Sequence, residues 1–346
     1  MMTGGDGDKS DIAGGPARHI PVLLERVREA MAPAPGDVII DGTFGAGGYS
    51  RAFLDAGSKV IGIDRDPDAI RDGRALEQAS DGRLQLVHGQ FVDLDDHARD
   101  LGYDAVDGVV MDLGVSSMQI DQAERGFSFR NDGPLDMRMA QDGPSAADVV
   151  NQMERKDLTR LIGMLGEEKR ASGVSHAICQ ARELKPFETT LELARVIEKV
   201  VKRNPKKAGI HPATRTFQAL RIYVNGELHQ AAGALAAAER ILRPGGRLVV
   251  VTFHSLEDRI VKRFLADRCR TIAGGSRHMP ELEVPPATFE FIVKGNQDAS
   301  AEEIFDNPRS RSARLRAARR LPAPERTLDI HAAGVPRLAS FHGLGG

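Results

Sequence analysis

Three carboxylates, Asp41, Asp64 and Asp112, each close a short apolar run, and the first opens directly into a glycine-dense turn, Gly42-Thr43-Phe44-Gly45-Ala46-Gly47-Gly48. Glycine accepts positive φ at little steric cost and lets backbone N–H groups come close to a ligand. A strand that runs through such a turn into a helix is how doubly wound α/β folds hold a nucleotide-like ligand at the sheet's C-terminal edge. No Gly-Lys-Ser/Thr follows the glycines, which disfavours a phosphate loop. The acidic Asp41 ahead of the glycines suits a cationic ligand better than a pyrophosphate. Acid-then-glycine order is that of S-adenosylmethionine sites, whose ligand carries an ammonium and a sulfonium. Asp64 stands where a carboxylate can accept hydrogen bonds from both ribose hydroxyls. Asp112, ahead of Leu113-Gly114-Val115-Ser116-Ser117, can orient an amine nucleophile, lean on the cofactor or cap a helix.

Such a site needs a parallel sheet. Strands are expected at Val38–Ile40, Lys59–Asp64, Leu84–Val87 and Asp107–Asp112, alternating with helices over about 49–57, 67–79 and 94–101. A short helix through about Met31 precedes them. The next strand, Arg247–Phe253, is announced by Leu242-Arg243-Pro244-Gly245-Gly246, and the gap from Asp112 far exceeds one crossover helix. Helical patterns fill it at 157–165, 167–182, 191–202 and 212–228, the last returning to the main sheet with a helix over 231–242. A helix over 256–268 follows, and Phe289–Val293 and Ala313–Ala318 are candidate closing strands. The expected organisation is a leader over 1–18, a core over 19–121 and 211–320, an inserted helical substrate-recognition domain over 122–210, and a tail over 321–346.

The chain has 346 residues, 41% hydrophobic and 28% charged, with no Trp and a net charge of −2. Its charge is uneven: residues 1–150 hold 14 Lys/Arg against 27 Asp/Glu, and residues 151–346 hold 33 against 22. The basic half is the better surface for a polyanion. Cys179 and Cys269 lack metal-ligand spacing and suit a reduced, cytoplasmic setting. No metal site is expected. No apolar run reaches the roughly 20 residues a membrane helix needs, and the leader lacks a signal-peptide pattern.

Several signatures together resemble the bacterial ribosomal small-subunit RNA methyltransferase H (RsmH/MraW) family. They are His19-Ile20-Pro21-Val22-Leu23, Asp41–Ser50, Gly62-Ile63-Asp64-Arg65-Asp66-Pro67, Asp112–Ser117 and Glu124-Arg125-Gly126-Phe127-Ser128-Phe129. Gly133–Met139, His211–Gln218 and Phe253-His254-Ser255-Leu256-Glu257-Asp258-Arg259 complete the set. The resemblance spans about His19 to Arg320. It implies an α/β class I S-adenosylmethionine-dependent methyltransferase core, Rossmann-like with a seven-stranded sheet, carrying an inserted all-helical subdomain. It also implies N4-methylation of a cytidine in the decoding region of 16S ribosomal RNA. S-adenosyl-L-methionine is then the donor and the small ribosomal subunit the partner, with no DNA or membrane. The family's cofactor contacts fall on Gly47, Gly48, Tyr49, Asp64, Phe91, Asp112 and Gln119. Tyr49 stands where many members carry His, which leaves a backbone contact intact.

Cytosine N4 is a poor nucleophile because its lone pair is delocalised into the ring, so an acceptor near its hydrogens helps it and can take the released proton. Asp112, or a nearby backbone carbonyl, is the candidate. His254 and Ser255 stand either at the acceptor base or at a helix entry. Phe127 and Phe129 beside Arg125 and Arg130 offer a stacking surface or simple packing. Two acid-free basic clusters are candidates for phosphate contact: Lys202, Arg203, Lys206, Lys207, Arg215 and Arg221, then Arg309, Arg311, Arg314, Arg316, Arg319 and Arg320. On the helix after Pro212, Thr214, Gln218, Arg221 and Asn225 share a polar face beside an apolar stripe of Phe217, Leu220, Val224 and Leu228.

Overall fold

A computed structural model describes residues 21–202, 211–271 and 285–342. The leader, His19, Ile20 and the cations Arg203, Lys206 and Lys207 lie outside the described residues.

The four expected parallel strands form as β1 (Val38–Asp41), β2 (Lys59–Asp64), β3 (Leu84–His88) and β4 (Val106–Asp112), followed by β5 (Leu242–Thr252). β-Branched and aliphatic residues on both faces suit strands that helices cover on both sides. β6 (Phe289–Phe291), β7 (Gln297–Asp298) and β8 (Arg314–Arg320) close the sheet in the order β3-β2-β1-β4-β5-β8-β6. Seven strands lie on that path, as expected. The two-residue β7, which pairs with β8, makes an eighth that no sequence pattern announced. β8 runs antiparallel between β5 and β6.

The order reverses between β1 and β4, which pair in parallel with Asp41 opposite Val110. In open α/β sheets ligands bind beyond the strand C-termini at such a switch point. Asp41 and Asp112 end the two strands that flank it.

Between β4 and β5 lie the expected helices, at Arg155–Leu165, Ala171–Leu184 and Thr190–Val200, with a further one at Ala146–Gln152 capped by Ser145. The expected helix over 212–228 is two helices. Thr214–Val224 ends at Asn225, Gly226 takes φ 57, and Glu227–Ile241 begins a new direction. Glycine tolerates that left-handed turn, and the apolar period running on through Leu228 concealed it. Thr214–Val224 packs chiefly on Arg155–Leu165 rather than returning to the sheet, while Glu227–Ile241 lies against the segment 91–100. One hydrophobic cluster runs without interruption from Ile40 and Met111 in the sheet to Leu135, Val149, Ile162 and Leu193.

Residues 321–342, expected as a tail, pack onto the body. Ala333 and Val335 are buried. Arg268 donates to the carbonyls of Arg326 at 2.7 Å and Thr327 at 3.1 Å, and Tyr223 Oη donates to Ala339 O at 2.6 Å. A strap whose regular structure is one short helix, Ile330–Ala333, leaves little periodicity to read.

The glycine turn is held by a socket. The Phe44 ring fills space that a Cβ would occupy at Gly47, Gly62 and Gly73, and Pro21 fills the space at Gly48. Gly73 sits inside the helix Pro67–Gln78, where glycine costs about 1 kcal/mol relative to Ala. Gly73→Ala is therefore expected to destabilise the protein by about 1–3 kcal/mol despite better helix propensity, because the new methyl overlaps the Phe44 ring and Leu86. Denaturant unfolding checks it, and a gain in stability would show that the socket yields.

Candidate functional site at the ends of strands β1, β2 and β4

The glycine turn is tied to all three strand ends. Gly42 N–H donates to Val110 O at 2.9 Å, Gly45 N–H to Asp64 Oδ2 at 2.8 Å, and Asp112 N–H to Thr43 Oγ1 at 2.7 Å. Asp41 is buried, with Oδ2 accepting from Ser50 Oγ at 2.7 Å and Oδ1 from Thr43 N–H at 3.3 Å. Burial raises its carboxyl to about 6 despite those hydrogen bonds. Burial likewise raises Asp64, whose oxygens take the N–H groups of Gly45 and Asp66. Each oxygen keeps a second lone pair for a hydroxyl.

Asp112 differs from both. Its Oδ1 is buried and has no hydrogen-bond partner among the described residues. Burial first, then the charges of Asp41 and Glu257, hold its carboxyl well above the usual range. Three carboxylates so close resist ionising together, and a cationic ligand relieves them.

The remaining expected contacts fall as follows. Gly47, at φ 73, and Gly48 form the mouth of the turn and the start of the helix Gly48–Asp55. The Tyr49 ring points away into the apolar layer, where its hydroxyl donates to Val22 O, so only its backbone faces the turn. Phe91 is half-buried, and its Cβ lies beside Gly42. The Gln119 side chain is committed within the protein. Its Oε1 accepts from Ser116 N–H at 3.1 Å, completing a capping box, and Nε2 donates to Asp66 Oδ2 at 2.7 Å.

That last bond belongs to a clamp that sequence reasoning missed. Buried Arg125 donates to Asp66 Oδ2 at 2.9 Å and to the carbonyls of Arg138 and Met139 at 3.1 Å each. Gln141 reaches Asp68 Oδ2 at 2.8 Å. Asn225 donates to Met137 O at 2.7 Å and accepts from Met139 N–H at 2.8 Å, while its own carbonyl accepts from Arg65 at 2.7 Å. The loop after β2 is thus bound to the segment 119–141. Met137, buried at φ 64, is the strained point that these bonds hold in place. Asp66 caps the helix that Pro67 starts, but its second oxygen's partner Arg125 lies 59 residues away.

Of the polar face expected on Thr214–Val224, Thr214 is exposed while Gln218, Arg221 and Asn225 are engaged within the protein. Gln218 donates to Leu165 O at 3.2 Å, and Arg221 grips Glu227 with Nε–Oε1 2.8 Å and Nη2–Oε2 2.9 Å. The arginines of β8 find their acids elsewhere in the chain: Arg314 and Arg316 on Asp258, Arg319 on Glu290, while Arg320 binds the carbonyls of Glu239 and Thr288. Arg309 pairs with Asp121. Phe129 packs against His211 and Phe217, with ring centroids 4.5 and 4.7 Å away, and Arg125 lies over Phe127. Packing accounts for both rings. His254 caps the helix Ser255–Arg268, so its helix-entry reading holds.

A family model described as "MraW methylase family" matches residues 16–321. The chain is 61% identical over 337 residues to the ribosomal RNA small subunit methyltransferase H of Mesorhizobium japonicum, covering 97% of each chain. It is 57% identical over 346 residues to the protein of that name from Rhizobium meliloti, covering 100% of both.

Proposed function

The chain belongs to the MraW methylase family, and on that premise we propose that it methylates N4 of a cytidine in the decoding region of 16S ribosomal RNA. Methylation of small-subunit ribosomal RNA from S-adenosyl-L-methionine follows from the family and its full-length relatives. The cytidine N4 assignment is supported by one observation above others: a buried carboxyl oxygen of Asp112 without a partner, at the switch point of the sheet.

When bound, S-adenosyl-L-methionine supplies an electrophilic methyl group whose transfer leaves a neutral thioether. The residues present fit such a ligand. Asp64 keeps lone pairs for the ribose, Phe91 stands beside Gly42 for the adenine, and Gly47, Gly48 and the Tyr49 backbone line the turn. Asp112 and Asp41 provide the negative field that a sulfonium and an ammonium need. Gln119 acts through Asp66, holding the loop that carries Asp64. At the acceptor, Asp112 Oδ1 takes a hydrogen bond from the N4 amino group and then its proton as the new N–C bond forms. A carboxyl held above its usual range is the stronger base for that task. Residues 122–210, with the helices Ala146–Gln152, Arg155–Leu165, Ala171–Leu184 and Thr190–Val200, form the substrate-recognition domain in this reading. The basic balance of the half that contains most of them supports it.

Labelled methyl transfer to small subunits lacking the modification tests the proposal, with mapping of the labelled base. A label on another base, or on another atom of cytosine, overturns it.

Donor affinity should follow pH. Asp41 is raised from 3.8 to about 6, so in the folded protein without donor its ionisation is disfavoured, and stability falls as pH rises from about 4 to about 6. A cationic donor prefers the ionised carboxylates. Its affinity is expected to rise with pH, by up to about tenfold per unit below pH 6 where Asp41 ionises, as titration calorimetry from pH 5 to 8 would record. Affinity that fell with rising pH would contradict the assigned charge.

A further inference from the structure

The end of β5 presents two buried polar atoms that pair at close range but at a poor angle. His254 Nε2 lies 3.0 Å from Glu257 Oε1 as an ion pair bent away from hydrogen-bond alignment, and neither atom has a further partner among the described residues. Both groups are fixed. Glu257 Oε2 accepts from Phe253 N–H at 2.9 Å and His254 N–H at 3.2 Å, so Oε1 cannot swing away. His254 Nδ1 accepts from Glu257 N–H at 3.4 Å, which leaves the proton of the neutral ring on Nε2. An acceptor and a donor therefore sit side by side as a bent ion pair, each with capacity for a better-aligned partner.

Their position singles out the partner. Gly114, two residues past Asp112, has φ 108, and a Cβ there would stand 3.9 Å from Glu257 Oε1 and 3.6 Å from the Phe253 ring. Glu257 thus faces the loop that follows the proposed proton acceptor, and its charge is felt at Asp112. Burial works against its ionisation, but the charge and hydrogen bonding of His254, then Arg221 and the Phe253 N–H, outweigh burial and keep it below the usual carboxylate range. Oε1 is therefore a strong acceptor. Glu227 also converges on the pair, with one potential ligand atom from each of the three residues within 4.8 Å of the others. Arg221 already holds both Glu227 oxygens, so the cluster contains its own cation and is a braced wall rather than a metal cage.

We propose that Glu257 and His254 read the amino-pyrimidine edge of the acceptor base, Oε1 accepting from one N4–H and Nε2–H donating to N3 of cytosine. The inference rests on the cytidine N4 reading above. Asp112 then takes the other N4 hydrogen, leaving the nitrogen lone pair directed at the methyl group. Uracil presents the inverse pattern, an O4 acceptor and an N3–H donor. It would set oxygen against carboxylate and N–H against N–H, so the pair discriminates as well as orients.

Glu257→Gln tests this without removing the brace, since the amide oxygen still accepts from Phe253 and His254 N–H. The expected result is donor affinity within about twofold of wild type and a fall of about 100-fold in kcat/KM on unmodified small subunits. Uridine substituted at the target should inhibit Glu257→Gln more strongly than wild type, because the new NH2 can donate to O4. His254→Asn, which keeps a capping acceptor but lacks Nε2–H, should lose about tenfold in kcat/KM. Wild-type turnover in Glu257→Gln overturns the proposal. So does parallel loss of donor binding and thermal stability, which marks a purely structural brace. Activity abolished by a chelator and restored by a divalent ion overturns it in favour of a cation between the two side chains. Wild-type protein that leaves cytidine N4 unmethylated fails the functional reading itself, whatever the variants do.

Discussion

Asp112→Asn will lower methyl transfer by about 100-fold or more while the protein folds and still binds its donor. The carboxyl contributes an unpartnered buried oxygen at the point where strand order reverses, and an amide there can accept a hydrogen bond but cannot take a proton. The sign of the stability change separates this from a structural role. Burial and the charges of Asp41 and Glu257 raise Asp112 above its unfolded value. Its ionisation therefore destabilises the folded state as pH rises past the usual carboxylate range, and a neutral amide removes that cost. Asp112→Asn should melt no lower than wild type at neutral pH while losing activity, a trade common at sites selected for function. Single-turnover methyl transfer with calorimetry of donor binding checks both halves. Wild-type rates in this variant would move the proton to a backbone carbonyl or to solvent.

Arg125→Ala will destabilise the protein by about 3–5 kcal/mol, the range for stripping one partner from a buried ion pair. Arg125 and Asp66 are both buried, and the same guanidinium satisfies two backbone carbonyls. Its removal strands the Asp66 carboxylate and frees the segment 137–141 from the loop after β2. Arg125→Lys should recover little, since an ammonium cannot span the carboxylate and both carbonyls. Donor affinity should fall too, because Gln119 and the Asp64 loop share the Asp66 anchor. Denaturant unfolding of the three proteins gives the ranking. A loss below about 1 kcal/mol would mean that water replaces the guanidinium.

Much of the α/β scaffold was legible because its signals are local. Strand ends fall within a residue or two of the apolar runs, except that β5 begins at Leu242, five residues before the expected Arg247, and Pro67 marks a helix start whose cap is Asp66, accepting from Asp68 N–H at 3.1 Å. The glycine turn was legible for the same reason. The break at Asn225-Gly226 was not, since the apolar period carries across it, and what turns the chain there is Asn225 bonding to Met137 and Met139. Nor was the fate of the arginine rows. Acid-free in sequence, they meet Asp258, Glu290 and the Glu239 carbonyl only once β8 has slotted between β5 and β6.

Residue order alone was enough to set out a sheet of alternating strands and helices, a glycine turn and the three carboxylates that end its strands. Each of these rests on backbone preference and periodicity over a few neighbours. Folding in three dimensions decided which of those polar groups remain available. Asp41 and Gln119 are spoken for by Ser50 and Asp66, whereas Asp112, Glu257 and His254 keep buried atoms unmatched. That division depends on which strand ends and loops meet across tens of residues, and hydrogen-bond demand in a low-dielectric interior is settled only there.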